Sequence, residues 1–349
     1  MATVTGAARA KTGARGGARS RRLADRAFHG TTLVVSLGLI GLLAFIVVVF
    51  SGDAVKVFDA FGLHFLTGRN WNPVTDEFGA LPFIVGTLVT SALAIILAVP
   101  VSVGLALLLN EASTGWIRNV LAVFVDLLAA IPSVVYGLWG IFILLPIFDH
   151  HVEPFLVHTL GRVPVIGTLF APNATGGTVG GDVFTAGVIL AIMILPIVTA
   201  VTREVVAVVP RDLREAAMAL GATRYEMIRM AVLPYARSGI VGATMLGLGR
   251  ALGETIAVAM VIGAGLGLHV SLFNSGYTIP AVIANEFREA SSAGLHKSAL
   301  ITLALILMVI ALLVASASRV LVRRSRALVS GDTPPEELEA TTAVEEASG

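Results

Sequence analysis

The sequence predicts an all-α, polytopic membrane protein with six transmembrane helices. Composition is the first reason: of 349 residues, 56% are hydrophobic and only 13% charged, with a mean hydropathy of +0.88. That is too apolar for a soluble globular domain. Second, six segments reach the roughly 20 apolar residues a span requires, at 32–50, 81–109, 120–148, 184–201, 240–264 and 298–322. Third, the basic residues are one-sided. Eighteen Lys and Arg precede the first span, end or follow the sixth, or lie between spans two and three and between four and five, against Lys56, Arg69, Arg162, Arg288 and Lys297 opposite. By the positive-inside rule the rich side, with both termini, is cytoplasmic.

Taken in order, residues 1–31 alternate small residues with arginine and read as a basic, disordered cytoplasmic segment or one lying on anionic headgroups. The apolar run behind them is span-length with no small-x-small cleavage site, so it reads as a retained anchor in direct contact with membrane lipid. Residues 32–80 form the first span and an outer loop, and 81–322 a core. Pro100, Pro132 and Pro196 fall inside spans two, three and four, where each removes a backbone donor and bends its helix. The second long outer loop begins at Asp149 and contains APNATGGTVGGD, rich in breakers. Residues 323–349 form an acidic tail carrying Pro334 and Pro335, expected to be disordered and cytoplasmic.

Several chemistries are excluded. The chain has no cysteine, hence no disulfide framework or thiolate metal site. No GxxxxGK[ST] run offers a phosphate cradle, and nothing points to nucleic acid. His150 and His151 are adjacent and point apart on most backbones, so no metal, no cofactor and no catalytic residue is assigned.

Span five carries charge. A charged side chain at the middle of a membrane helix costs at least about 2.5 kcal/mol, yet Arg250 and Glu254 both sit there. On a regular helix Ala243, Gly247, Arg250 and Glu254 share one face, leaving room beside the arginine, while Gly242, Leu246, Gly249 and Gly253 share an adjoining face fit for close helix packing. A guanidinium offers a planar fork of donors that matches a tetrahedral oxyanion, and an acid four residues on neutralises it between turnovers. The alternative is a purely structural ion pair.

Before span five, residues 210–234 form a polar hairpin. Pro210 starts one helix and Gly221 stops it; a second runs from about 223 to 231 and ends before Pro234. Met227, Ile228 and Met230 have nothing within the loop to bury them. Physical chemistry leaves two readings open, a hairpin lying on the membrane or one fitting a partner's groove.

The segment EAAMALGATRYEMIRMAVLP resembles the EAA loop of ABC importer permeases, with Glu215, Ala216, Ala217, Gly221, Leu233 and Pro234 at matching positions and Ala231 where isoleucine is usual. IPSVVYGLWGIF and GLGRALGETIAVAMVIG further resemble the phosphate-specific permeases of the PstC family and their PstA counterparts. The resemblance implies a type I ABC importer permease fold (MetI-like) in a bacterial plasma membrane. It implies a PstA-like second permease, two PstB-like ATPase subunits docked on the hairpin, and an extracytoplasmic PstS-like phosphate-binding protein. In such a permease Arg250 is expected to contact phosphate within the path, with Glu254 as its neutralising partner and Thr255 or Thr244 as hydroxyl donors. Sulfate, molybdate or phosphonate import remains an alternative, as does an ATPase-independent channel or secondary transporter.

Overall fold

The computed structural model describes residues 7–112, 115–164, 166–172, 181–290 and 294–330. Among the described residues the fold is all-α apart from a ribbon of two two-residue strands and one isolated bridge. In chain order the helices are α1 (Ala7–Phe61), α2 (His64–Thr67), α3 (Leu81–Leu107), α4 (Gly115–Ala130), α5 (Ser133–Trp139), α6 (Leu145–Ile147) and α7 (Glu153–Thr159). There follow α8 (Val183–Ala207), α9 (Arg211–Ala219), α10 (Arg224–Met227), α11 (Leu233–Gly253), α12 (Ile256–Val261), α13 (Ile279–Glu286) and α14 (Leu295–Ser330). The ribbon pairs β1 (Trp71–Asn72) antiparallel with β2 (Glu77–Phe78).

Among the described residues five helical stretches, not six, are long and apolar enough to cross a membrane: Phe28–Phe61, Leu81–Glu111, Ser133–Thr159, Val183–Ala207 and Leu295–Val320. The expected sixth, 240–264, is interrupted. Helix α11 stops at Gly253, Glu254 turns extended (φ −70°, ψ 128°), and α12 resumes at Ile256. Gly249 and Gly253 lower helix propensity next to Thr255 and Ile256, whose β-branched side chains also resist it. The third span is displaced for a related reason. Pro132 lacks an N–H and drives Ile131 out of the helical region, so α4 ends at Ala130 and the crossing helix begins at Ser133, running on to Thr159.

Three π-helical segments share one cause. Gly140–Leu144, Phe148–Val152 and Ile228–Val232 each end two residues before a proline: Pro146, Pro154 and Pro234. The missing N–H dislocates the hydrogen-bond ladder, which reconnects at wider spacing instead of breaking. The helix expected to end before Pro234 therefore does not end; residues 224–253 form one continuous helical rod. By contrast Pro100 and Pro196 sit inside unbroken α3 and α8.

Helices α3 and α8 are the closest-packed pair, built on small residues. Ala94, Ala98 and Ala186 are fully or almost fully buried between them, and a side chain at Gly187 would collide with Leu93. Ser102 on α3 donates to the Leu195 carbonyl of α8 at 3.1 Å. Helix α11 lies across both, and α1 packs on α14. The N-terminal segment, expected to be disordered, is helical from Ala7, continuous with the first span; alanine and arginine are strong helix formers. Likewise α14 carries helix through residue 330, past the expected start of the disordered tail at 323; residues 331–349 lie outside those described.

Candidate functional site

The break in span five organises the site. Arg250 is exposed on the last turn of α11, and Glu254, one residue beyond the helix, is half-buried. Because Glu254 is extended, it leaves the helical face on which an i,i+4 pair depends, and no Arg250–Glu254 bridge stands among the ion pairs of the described residues. The two small-residue faces have exchanged their expected roles. Ala243 and Gly247 are the packed seam: Ala243 is fully buried, and a Cβ on Gly247 would stand 2.7 Å from Val198 of α8. Gly242, Gly249 and Gly253 instead face open space, beside an exposed Leu246. Thr244 donates to the Ile240 carbonyl at 2.9 Å within its own helix, and Thr255 to the Gly253 carbonyl at 3.2 Å across the break.

Two discontinuities lie side by side. Helix α5, which follows the break at Pro132, packs on α12, which follows the break at Glu254. Gly137 makes this possible, since a Cβ there would stand 3.2 Å from Cα of Ala257. Tyr136, buried, donates to the Leu128 carbonyl at 2.8 Å, spanning the first break, and its hydroxyl lies within the field of Arg250. Sequence reasoning passed over Tyr136, although it lies inside the IPSVVYGLWG motif. Broken helices free backbone polar groups at membrane depth, which is tolerated only where they are buried in protein or line a water-filled cavity.

The hairpin folds as its turn residues dictate. Gly221 takes the left-handed conformation (φ +85°) that ends α9. Thr223 and Glu226 form a reciprocal capping box opening α10. Glu215, Ala216, Gly221 and Pro234 are exposed, while Ala217 and Leu233 are half-buried. Met227 is buried against Val206, Val209, Val232 and Ala236, its cover coming largely from outside the loop, from the end of α8 and the base of α11. Leu220 (90% exposed), Tyr225 (71%) and Met230 (62%) remain uncovered.

Arg214 fixes this hairpin to the bundle. Its guanidinium donates to the Val209 and Val206 carbonyls at 2.8 and 2.9 Å, and to Glu111 at 2.8 Å, where α3 ends in a π-turn. One side chain thus ties α9 to the ends of both central helices. Spacing could not reveal the pair, because 103 residues separate its members.

Residues 98–327 match the family described as "Binding-protein-dependent transport system inner membrane component". The phosphate transport system permease protein PstC of Pasteurella multocida is 45% identical over 316 residues, 90% of this chain and 97% of that protein. The PstC of Haemophilus influenzae is 42% identical over 300 residues, and PstC 1 of Mycobacterium tuberculosis 43% over 282. Among solved structures, a chain of the inward-facing MetNI methionine ABC transporter aligns with TM-score 0.48 at 18% identity, covering 73% of this chain and 99% of that one.

Proposed function

We infer the function from kinship: the chain belongs to the binding-protein-dependent transport system inner membrane components and, within them, to the PstC-type phosphate permeases. It is a multi-pass membrane permease subunit of a phosphate importer and is not itself an enzyme. The observation that carries this is the 45% identity sustained over 90% of the chain.

The finer mechanism is our reading. With α11 and α12 together counted as the remaining crossing, both termini fall on the basic, cytoplasmic side. A PstA-like permease covers the open glycine face of α11, two PstB-like ATPases supply the energy, and a PstS-like protein delivers phosphate from outside. Arg250 contacts the anion in the path between the permeases. Its exposure in the single subunit, beside glycines with free space around them, supports that role. Glu254 balances its charge from the break, and the hydroxyls of Thr244 and Thr255 turn from their backbone acceptors toward the anion. A conducting site must hold its solute weakly, and a neighbouring carboxylate that competes for the guanidinium keeps it weak.

Coupling enters at the hairpin. Glu215, Ala216, Ala217, Gly221, Leu233 and Pro234 shape the surface on which the ATPase sits, and exposed Leu220 and Tyr225 supply apolar contact. Since residues 224–253 are one rod, displacing the hairpin displaces Arg250 at the rod's far end. The reading is tested by labelled-phosphate uptake into vesicles holding the four-component complex, with excess sulfate or molybdate as competitors. Uptake that needs hydrolysable ATP and resists both competitors supports it. Uptake suppressed by sulfate reassigns the cargo, and uptake without the ATPase contradicts the coupling.

A further inference from the structure

Away from the path, three carboxylates converge at the opposite end of the bundle from the hairpin. Asp149 and Glu153 stand one helical turn apart where the third span runs from π-helix into α7, and Asp182 caps α8. One oxygen from each lies within 4.8 Å of the others. Asp182 is fully buried, and Glu153 is 9% exposed. Asp182 accepts from the Thr185 amide and hydroxyl, both at 2.7 Å. Oε1 of Glu153 is buried without any hydrogen-bond partner. The charges acting on Glu153 are those of Asp182 and Asp149, Asp149 also shares a side-chain hydrogen bond with it, and no Lys or Arg pairs with Glu153 or Asp182 among the described residues.

Buried negative charge at this density repels itself, and an unpartnered carboxylate oxygen in low dielectric is costly. Such groups are stable when a cation joins them. We propose that Asp149, Glu153 and Asp182 form a divalent-cation site with a preference for Ca2+. An all-oxygen, highly charged donor set selects hard cations over zinc or copper. Neither His150 nor His151 belongs to the converging set. Ligands at roughly 2.3–2.6 Å from Ca2+ stand up to about 5 Å apart, whereas those of Mg2+, at roughly 2.0–2.1 Å, reach only about 4 Å. The 4.8 Å upper limit on their separation lies inside the span that Ca2+ ligands reach and outside that of Mg2+. Half-buried Asp149 is the way in from the surface.

The position gives the ion a structural task. The amide of Asp182 donates to the Val261 carbonyl at 3.1 Å, and Gly181 bridges Ile262, so the start of α8 is already stitched to the end of α12. A cation adds the end of the third span to that stitch, bracing both broken helices from one end. The topology proposed above puts this end outside, where Ca2+ is abundant; only the sidedness rests on that reading.

The test is equilibrium dialysis of radioactive Ca2+ against the purified, chelator-stripped, nucleotide-free complex, with thermal unfolding measured alongside. One Ca2+ per copy of this chain is expected, displaced poorly by Mg2+, together with a higher unfolding midpoint in Ca2+. Loss of even an outer-shell partner weakens metal sites about 10–100-fold, so Glu153→Gln is expected to weaken Ca2+ binding by at least about tenfold and abolish the Ca2+-induced shift. Asp149→Asn, which leaves the α8 cap intact, should do the same. Absence of saturable binding, binding unchanged in both variants, or a midpoint that responds to pH but not to Ca2+ overturns the site. A complex that binds Ca2+ yet imports no phosphate contradicts the functional reading and leaves the site standing.

Discussion

The two ends of the helical bundle are built on opposite plans. At one end the β1–β2 ribbon closes on itself. Trp71, Phe78 and Phe83 are buried edge to face, and Glu286 accepts from the Trp71 indole while meeting His296, both at 2.9 Å. Phe78 stacks on the His296 ring, and α13 and α14 complete the core. At the other end the hairpin buries only one edge and leaves Leu220, Tyr225 and Met230 in the open. The first end satisfies its own apolar surface. The second leaves apolar surface that the proposed ATPase subunit would cover, and a single arginine fork ties it to the bundle.

The contrast is sharpened most by breaking that fork. Removing one partner of a largely buried ion pair costs about 3–5 kcal/mol, and here the loss falls on the joint between α9, α3 and α8. Arg214→Met is expected to abolish ATP-driven phosphate uptake, and Arg214→Lys, which keeps the charge without the fork, to restore only part of it. Uptake in Arg214→Met equal to wild type would remove the hairpin from the mechanism. The opposite end should respond in the opposite manner. Trp71→Ala, a large-to-small change in a packed aromatic cluster, is expected to cost about 3–5 kcal/mol and lower the thermal midpoint, while uptake per folded complex is unchanged.

Within α11 the two glycine faces separate packing from lining. Gly247→Leu should destabilise the chain by about 1–3 kcal/mol through overpacking against Val198. Gly249→Ala, with free space around it, should leave folding alone and alter only assembly with the second permease, read by co-purification. The smallest effect concerns the capping box. The Thr223 amide and hydroxyl hold the Glu226 carboxyl below its ordinary range. A lowered folded value means the stabilisation is present above the unfolded carboxylate pKa and lost as pH falls through the folded one. Protease protection of the hairpin should accordingly fade in acid, and Thr223→Ala should show the same loss at neutral pH.

What the sequence disclosed follows from how local each signal is. Helices α3, α8 and α14 were legible because long apolar runs admit one structure in a membrane. The hairpin was legible because Pro210, Gly221 and the Thr223–Glu226 box act over one or two turns. Arg250 was legible as an unusual charge, but its setting was not. A helical wheel gives the faces of α11 but not which of them meets α8, so the packed and open faces were exchanged, and the turn at Glu254 dissolved the expected ion pair. The Arg214–Glu111 bridge, the Trp71–Glu286–His296 cluster and the convergence of Asp149 and Glu153 on Asp182 are contacts across the fold, invisible to spacing.

The central claim is that this subunit conducts phosphate with energy delivered through its hairpin, and charge reversal on the docking surface tests it most directly. Glu215 is exposed, so Glu215→Lys should leave folding intact. Phosphate accumulation against its gradient, measured in vesicles with the ATPase present, is predicted to fall to background in Glu215→Lys while the permease pair still co-purifies. Accumulation persisting at the wild-type level would contradict the account.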